Sequence, residues 1–150
     1  LLKEEKDLQQ FVAETEDLFR AASIEEISLP TGVNNLAKYT GIDTLYKKGA
    51  PMHVRAALLY NDQLEKHGMS KIREPIQEGG KIRYLFLKEP NMLREDVIGF
   101  VGSLPDEFNL KRYADYDRHW DRSFIKPLQK MTDAVKWNWK DEASLADLFE

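Results

Sequence analysis

One Asp-x-Asp pair, three histidines and several groups of basic side chains are the residues in these 150 whose types and spacing could do chemistry. Asp115 and Asp117 would point to the same side of a strand and could hold a divalent cation there. The apolar period around them is helical, however, and at about 100° per residue two side chains two apart diverge by about 200°. They read as solvated charges. His53, His67 and His119 stand at no metal-ligand spacing with one another or with a carboxylate, and the chain has no cysteine. A structural zinc site, a disulfide and thiolate chemistry are therefore not expected. No phosphate-cradling G-x-x-x-x-G-K-[ST], no G-x-G-x-x-G and no nucleophile G-x-S-x-G occurs. No catalytic and no metal-ligating residue is assigned.

The cations are more informative. Tyr46 to Arg55 contains Lys47, Lys48, Gly49, Pro51, His53 and Arg55. This reads as a mobile basic loop, with a glycine for close backbone approach, running into a helix start whose free amides favour a phosphate. Arg118, Arg122, Lys126 and Lys130 follow at four-residue steps and would form a slowly drifting stripe on a helix. Such a row can track a phosphate backbone. Taken alone, a surface row pairing with Asp117, Asp121 and Asp133 is the stronger reading. At the other extreme of character, Leu145, Leu148 and Phe149 lie on an acidic terminal peptide, spaced as anchors on one helical turn that Ser144 could cap. That is the pattern of a helix-in-groove ligand, and equally of a triplet that packs back on its own domain.

Net charge is −4, unevenly spread. Residues 1–29 hold three bases against eight acids, 30–90 ten against six, 91–140 nine against eight, and 141–150 four acids alone. A basic middle lies between acidic ends. The hydrophobic share of 42% and charged share of 32% place the chain among soluble globular domains with one moderate core. No run of about 18 apolar residues spans a membrane, and no secretory signal opens the chain. The missing cysteine fits a reducing compartment.

The elements that must position these residues follow from period. Leu8, Phe11, Val12, Leu18, Phe19 and Ala22 share a helix face between Leu1 and Ala22, a helix that opens without a cap or linker, as if inside a larger architecture. Ser28 to Gly32 is a break around Pro30. Met52 to His67 is a helix with Val54, Ala57, Leu58 and Leu64 inward and Gly68 as its stop. Lys81 to Leu87, after the Gly79-Gly80 turn, and Val97 to Val101 are strands of a small antiparallel sheet. From Leu110 the helical period returns, and Pro127 must kink or split it. The fold class is α+β, mainly helical, with residues 1–140 as one domain and 141–150 as a loosely held peptide.

Lys48 to Asn61 resembles the thumb segment of the family B replicative DNA polymerases of T-even-like bacteriophages. Tyr113 to Asp117, Ser123 to Leu128, and the tail Ala143 to Phe149 are similar to the same polymerases in the same order. The resemblance implies a non-catalytic thumb that grips primer–template duplex through backbone phosphates, with Lys47, Lys48, His53 and Arg55 at one contact and Arg118, Arg122 and Lys126 at another. Arg122 stands where the family leads one to expect lysine, which keeps the charge but changes the hydrogen-bond geometry. Leu145, Leu148 and Phe149 would bind a sliding clamp. The family's exonuclease, palm and fingers have no counterpart here, so magnesium is expected in the absent palm and no cofactor in this chain. Expected partners are duplex DNA, the clamp and the remaining polymerase parts, in the cytoplasm of an infected bacterium and with no membrane. Either the chain is a fragment or the polymerase is encoded in separate parts. The rival readings are a stand-alone protein-interaction module without DNA binding and an enzyme in its own right.

Overall fold

In the computed structural model, which describes residues 4–139, the elements run in chain order α1 (Glu5–Ala21), α2 (Ile24–Ile27), β1 (Leu29–Gly32), α3 (Leu36–Tyr39), α4 (Met52–Lys66), β2 (Lys81–Phe86), β3 (Val97–Phe100), α5 (Tyr116–Trp120) and α6 (Lys126–Val135). A π-helical turn, Asp121–Ile125, joins the last two. They form two compact units: residues 23–115, and residues 4–22 with 116–139. The α+β class, with a three-stranded antiparallel sheet, is as the sequence indicates.

The 23–115 unit is a sheet of order β1-β2-β3 with α4 packed on β3. Leu29 pairs with Tyr84, and Arg83 with Phe100. β1 corrects the expected break. Proline cannot donate to a ladder, but an edge strand leaves one side without a neighbour, and Pro30 sits on that edge. The α4 helix is buried far beyond the predicted face, with Ala56, Leu59 and Tyr60 inside as well as Val54, Ala57, Leu58 and Leu64. It approaches β3 so closely that a Cβ on Gly99 would lie 2.9 Å from the Ala56 carbonyl oxygen. Small residues on both sides permit that approach. α4 ends as expected at Gly68, whose φ of 65° is in the left-handed region. Met69 N–H reaches back to Leu64 O at 2.7 Å and Gly68 N–H to Glu65 O at 3.1 Å, which satisfies the last carbonyls.

The other unit brings α1 against α5, the π turn and α6. Leu8, Val12, Trp120 and Ile125 are its buried centre, with Phe19, Phe124, Leu128, Trp137 and Trp139 packed around them. Trp120 and Phe124 stack with centroids 4.3 Å apart. α1 does have a cap: Glu4 N–H donates to the Asp7 carboxylate at 3.1 Å. Tyr116 hydroxyl donates to Ala22 O at 2.7 Å, and Arg20 meets Asp117 at 2.6 Å. The helix expected from Leu110 starts only at Tyr116, after short 3-10 turns at 106–108 and 111–113. Pro127 splits it in the expected sense. Lys126 N–H reaches Asp121 O, five residues back, so the wide turn closes just before the residue that has no N–H to give.

Candidate nucleic-acid interface

The basic segment of the 23–115 unit is built on a tied loop rather than a mobile one. Asn35, at φ 69°, turns the chain into α3, and the Glu78 carboxylate accepts the amides of Asn35 and Leu36. Beyond α3, Thr40 and Tyr46 form an antiparallel bridge, Gly41 N–H donates to Leu45 O at 3.3 Å, and Thr44 hydroxyl donates to Tyr46 O at 2.8 Å. A Cβ at Gly41 would run into the Thr44 carbonyl, so this turn requires glycine. Lys47 N–H then bonds Tyr39 O at 2.7 Å. Lys47 and Lys48 project into solvent, and Gly49, at φ 88°, leads to Pro51 and the α4 N-terminus. The amides of Met52, His53 and Val54 head that helix and have no intrahelical acceptor. His53 is half-buried.

Arg55 is placed differently from the lysines. Its guanidinium lies 3.3 Å from Glu95 Oε2, 3.5 Å from Asp96 Oδ1 and 5.9 Å from the centre of the Tyr46 ring. The Tyr46 hydroxyl donates to the other Glu95 oxygen. Burial, then the Glu95 carboxylate, push the Tyr46 phenol above its ordinary value, with Arg55 opposing. Glu95 and Asp96 were missed by sequence reasoning because they lie 40 and 41 residues from Arg55, and no local pattern links them. Their consequence is electrostatic. With Arg55 already answered by carboxylates, Lys47, Lys48 and the helix-head amides are what this segment presents to an anion.

In the other unit Arg118 lies on α5, Arg122 on the π turn and Lys126 at the head of α6, all exposed, with Lys130 one step further. The π turn widens the step between them, so the stripe is less regular than four-residue spacing on an ideal α-helix predicts. Lys126 lies 3.5 Å from Asp121, as the surface-row reading expects, while Asp117 turns away to Arg20. Asp115 precedes α5 and its N–H bonds Phe86 O at 2.9 Å. His67 stacks on Phe108 at 5.5 Å and bonds Gln63, and His119 is fully buried. Among the described residues no group of three His, Asp or Glu could hold a metal ion, and no helix is long and apolar enough to cross a membrane. Leu145, Leu148 and Phe149 lie outside the described residues.

No protein-family profile matches the chain. It is 30% identical over 137 residues, 88% of its length, to a DNA-directed DNA polymerase of Escherichia phage RB69. Over 149 residues, 97% of its length, it is 27% identical to the DNA-directed DNA polymerase of Enterobacteria phage T4. The chain spans only 15% and 16% of the lengths of these two polymerases.

Proposed function

We propose that this chain is the thumb portion of a phage-type DNA polymerase, which grips primer–template duplex through backbone phosphates and carries no chemistry of its own. The observation that carries the reading is a likeness to two phage polymerases along nearly the whole chain, yet within about a sixth of theirs. Lys47, Lys48 and the head of α4 supply one phosphate contact in the proposal, and Arg118, Arg122 and Lys126 another. Contacts of this kind position a duplex without reading its sequence. The tail 141–150 tethers the polymerase to its sliding clamp through Leu145, Leu148 and Phe149. The magnesium and the reacting carboxylates belong to the palm, elsewhere in the polymerase, and the whole acts inside the infected bacterium.

Arg55 enters this proposal in a supporting role: held by Glu95 and Asp96, it orients the loop more than it adds positive charge. The same neutralised cluster favours the second reading, a protein-interaction module that ignores DNA. One series of binding titrations separates the two. Fluorescence anisotropy with duplexes of unrelated sequence should give Lys48→Ala and Lys126→Ala a uniform loss of affinity, each lowering the slope of log K against log salt by about one. Arg55→Ala should change the slope less. A labelled 141–150 peptide titrated with phage clamp should bind, and its Phe149→Ala form should not. Unchanged slopes for both lysine variants would reject the DNA grip; equal binding by the two peptides would reject the tether.

A further inference from the structure

The carboxylates that answer Arg55 are delivered by a tightly bonded connection, residues 87–96, between β2 and β3. Asn91 is its hub. The Asn91 side-chain amide donates to Lys88 O at 2.9 Å and to Glu95 O at 2.8 Å, and its side-chain oxygen accepts Arg94 N–H at 2.9 Å. Arg94, at φ 60°, turns the chain just ahead of the two acids, and Leu87 N–H donates to Asp96 O at 2.8 Å. These bonds run through backbone atoms and the Asn91 amide, while the Glu95 and Asp96 side chains reach Arg55 at 3.3 and 3.5 Å. The three side chains are largely sheltered from solvent, at 24% exposure for Arg55, 18% for Glu95 and 31% for Asp96. One cation against two acids leaves the set with a formal charge of about −1 at neutral pH.

We infer that Glu95 and Asp96 are a brake on the phosphate grip: they occupy the Arg55 guanidinium and withhold it from backbone phosphate. The inference rests on the reading of Lys47, Lys48 and the head of α4 as a phosphate contact, and it says what regulates that contact. Position supports it first. Arg55 is the fourth residue of α4, and helical side chains lean toward the N-terminus of their helix, so Arg55 points back toward the free amides of the helix head. It lies over the Tyr46 ring, and Tyr46 directly precedes Lys47. An unoccupied guanidinium here would belong to the same anion contact as the two lysines. Chemistry supports it next. A guanidinium binds carboxylate and phosphate oxygens with the same fork of N–H donors, so the acids and a phosphate compete for one group. Charge completes the argument. Exposed Lys47 and Lys48 supply two positive charges, and the cluster beside them subtracts from that sum where a masked arginine alone would add to it. A duplex held through sequence-neutral contacts slides when those contacts are few, and the two acids keep one strong contact out of the set. Glu95 and Asp96 are positioning residues in this scheme, acting on the anion only through Arg55.

Removing the brake should strengthen binding, which is a sharper test than a loss. In the full chain, Glu95→Gln with Asp96→Asn keeps side-chain shape and hydrogen-bond acceptors while removing both charges. Duplex titrations should then show about tenfold tighter binding at roughly 0.1 M salt, with the slope of log K against log salt steeper by about one, as Arg55 takes a phosphate. Glu65→Gln with Glu107→Gln is the control: it removes the same charge from exposed positions of the same unit and should leave the slope unchanged. Adding Arg55→Ala to the first pair should return the slope to the native value. Glu95→Gln alone should show the same change in smaller measure, so the test holds even where the double variant folds poorly. Inorganic polyphosphate, titrated in parallel, reads the brake without DNA. The inference is overturned by a gain no larger than the control's, on polyphosphate or on a duplex that responds to Lys48→Ala, and equally by a gain that survives Arg55→Ala. Failure of the DNA grip would appear separately, as duplex slopes unchanged by Lys48→Ala and Lys126→Ala while the Arg55-dependent gain on polyphosphate persists.

Discussion

The side chains around Arg55 show how a charge can be present in a sequence and absent from a surface. Two carboxylates compensate the guanidinium, and Tyr46 covers one face while donating to Glu95. The phenol's protonation equilibrium is displaced by burial and by the Glu95 carboxylate. Its folded pKa is raised, so the folded chain holds that proton more tightly than the unfolded one. The associated stability is complete below the phenol's ordinary value of about 10 and is lost as pH rises through the folded value. Urea unfolding at pH 9, 10 and 11 should therefore show a steeper alkaline loss in the native chain than in Tyr46→Phe; parallel losses would mean that the hydroxyl is not linked to folding. The lysines of this segment were legible in the sequence because neighbours along the chain made the pattern. Glu95 and Asp96 were not, since pairing across 40 residues exists only after the sheet has placed β3 beside α4. Asp115 and Asp117 were read as non-catalytic on helical period, and Asp117 is found paired with Arg20; an exposed pair of this kind contributes roughly 0–1 kcal/mol.

Elements with long, regular periods were read well, and those set by tertiary contact were not. α4, β2 and β3 lie within a residue of the expected ranges, because apolar spacing, the Gly79-Gly80 turn and Gly68 mark them locally. β1 escaped because Pro30 argues against a strand unless its neighbour across the edge is known. The late start of α5 has a similar origin: Leu87 and Ala114 form a bridge, and Lys88 N–H takes Tyr113 O at 2.7 Å, so the sheet claims residues that a helix could otherwise use. The extensive burial of α4 follows from the closeness of Gly99 to Ala56. Gly99→Ala forces a methyl against backbone, where neither strand nor helix has a flexible end to yield. It should destabilise the chain by about 1–3 kcal/mol, measured by urea denaturation followed by far-UV circular dichroism. An unchanged midpoint would show that helix and strand separate at little cost.

At the scale of the whole molecule the two cores are unequal. The 23–115 unit buries most of the apolar side chains, while the other buries Leu8, Val12, Trp120 and Ile125. All three tryptophans, Trp120, Trp137 and Trp139, lie in the smaller unit, so their emission reports on that unit alone. Urea should shift tryptophan emission at a lower midpoint than it abolishes the bulk of the far-UV signal; coincident midpoints would mean that both units unfold together. The smaller unit is also assembled from segments far apart in the chain, with all of 23–115 intervening. That has a consequence during synthesis. Leu8, Val12 and Phe19 are synthesised before their partners at Trp120 and Phe124, which follow 101 to 116 residues later. At 5–20 residues per second, α1 waits roughly 5–23 s for those partners, while the unit encoded between the two halves can already close.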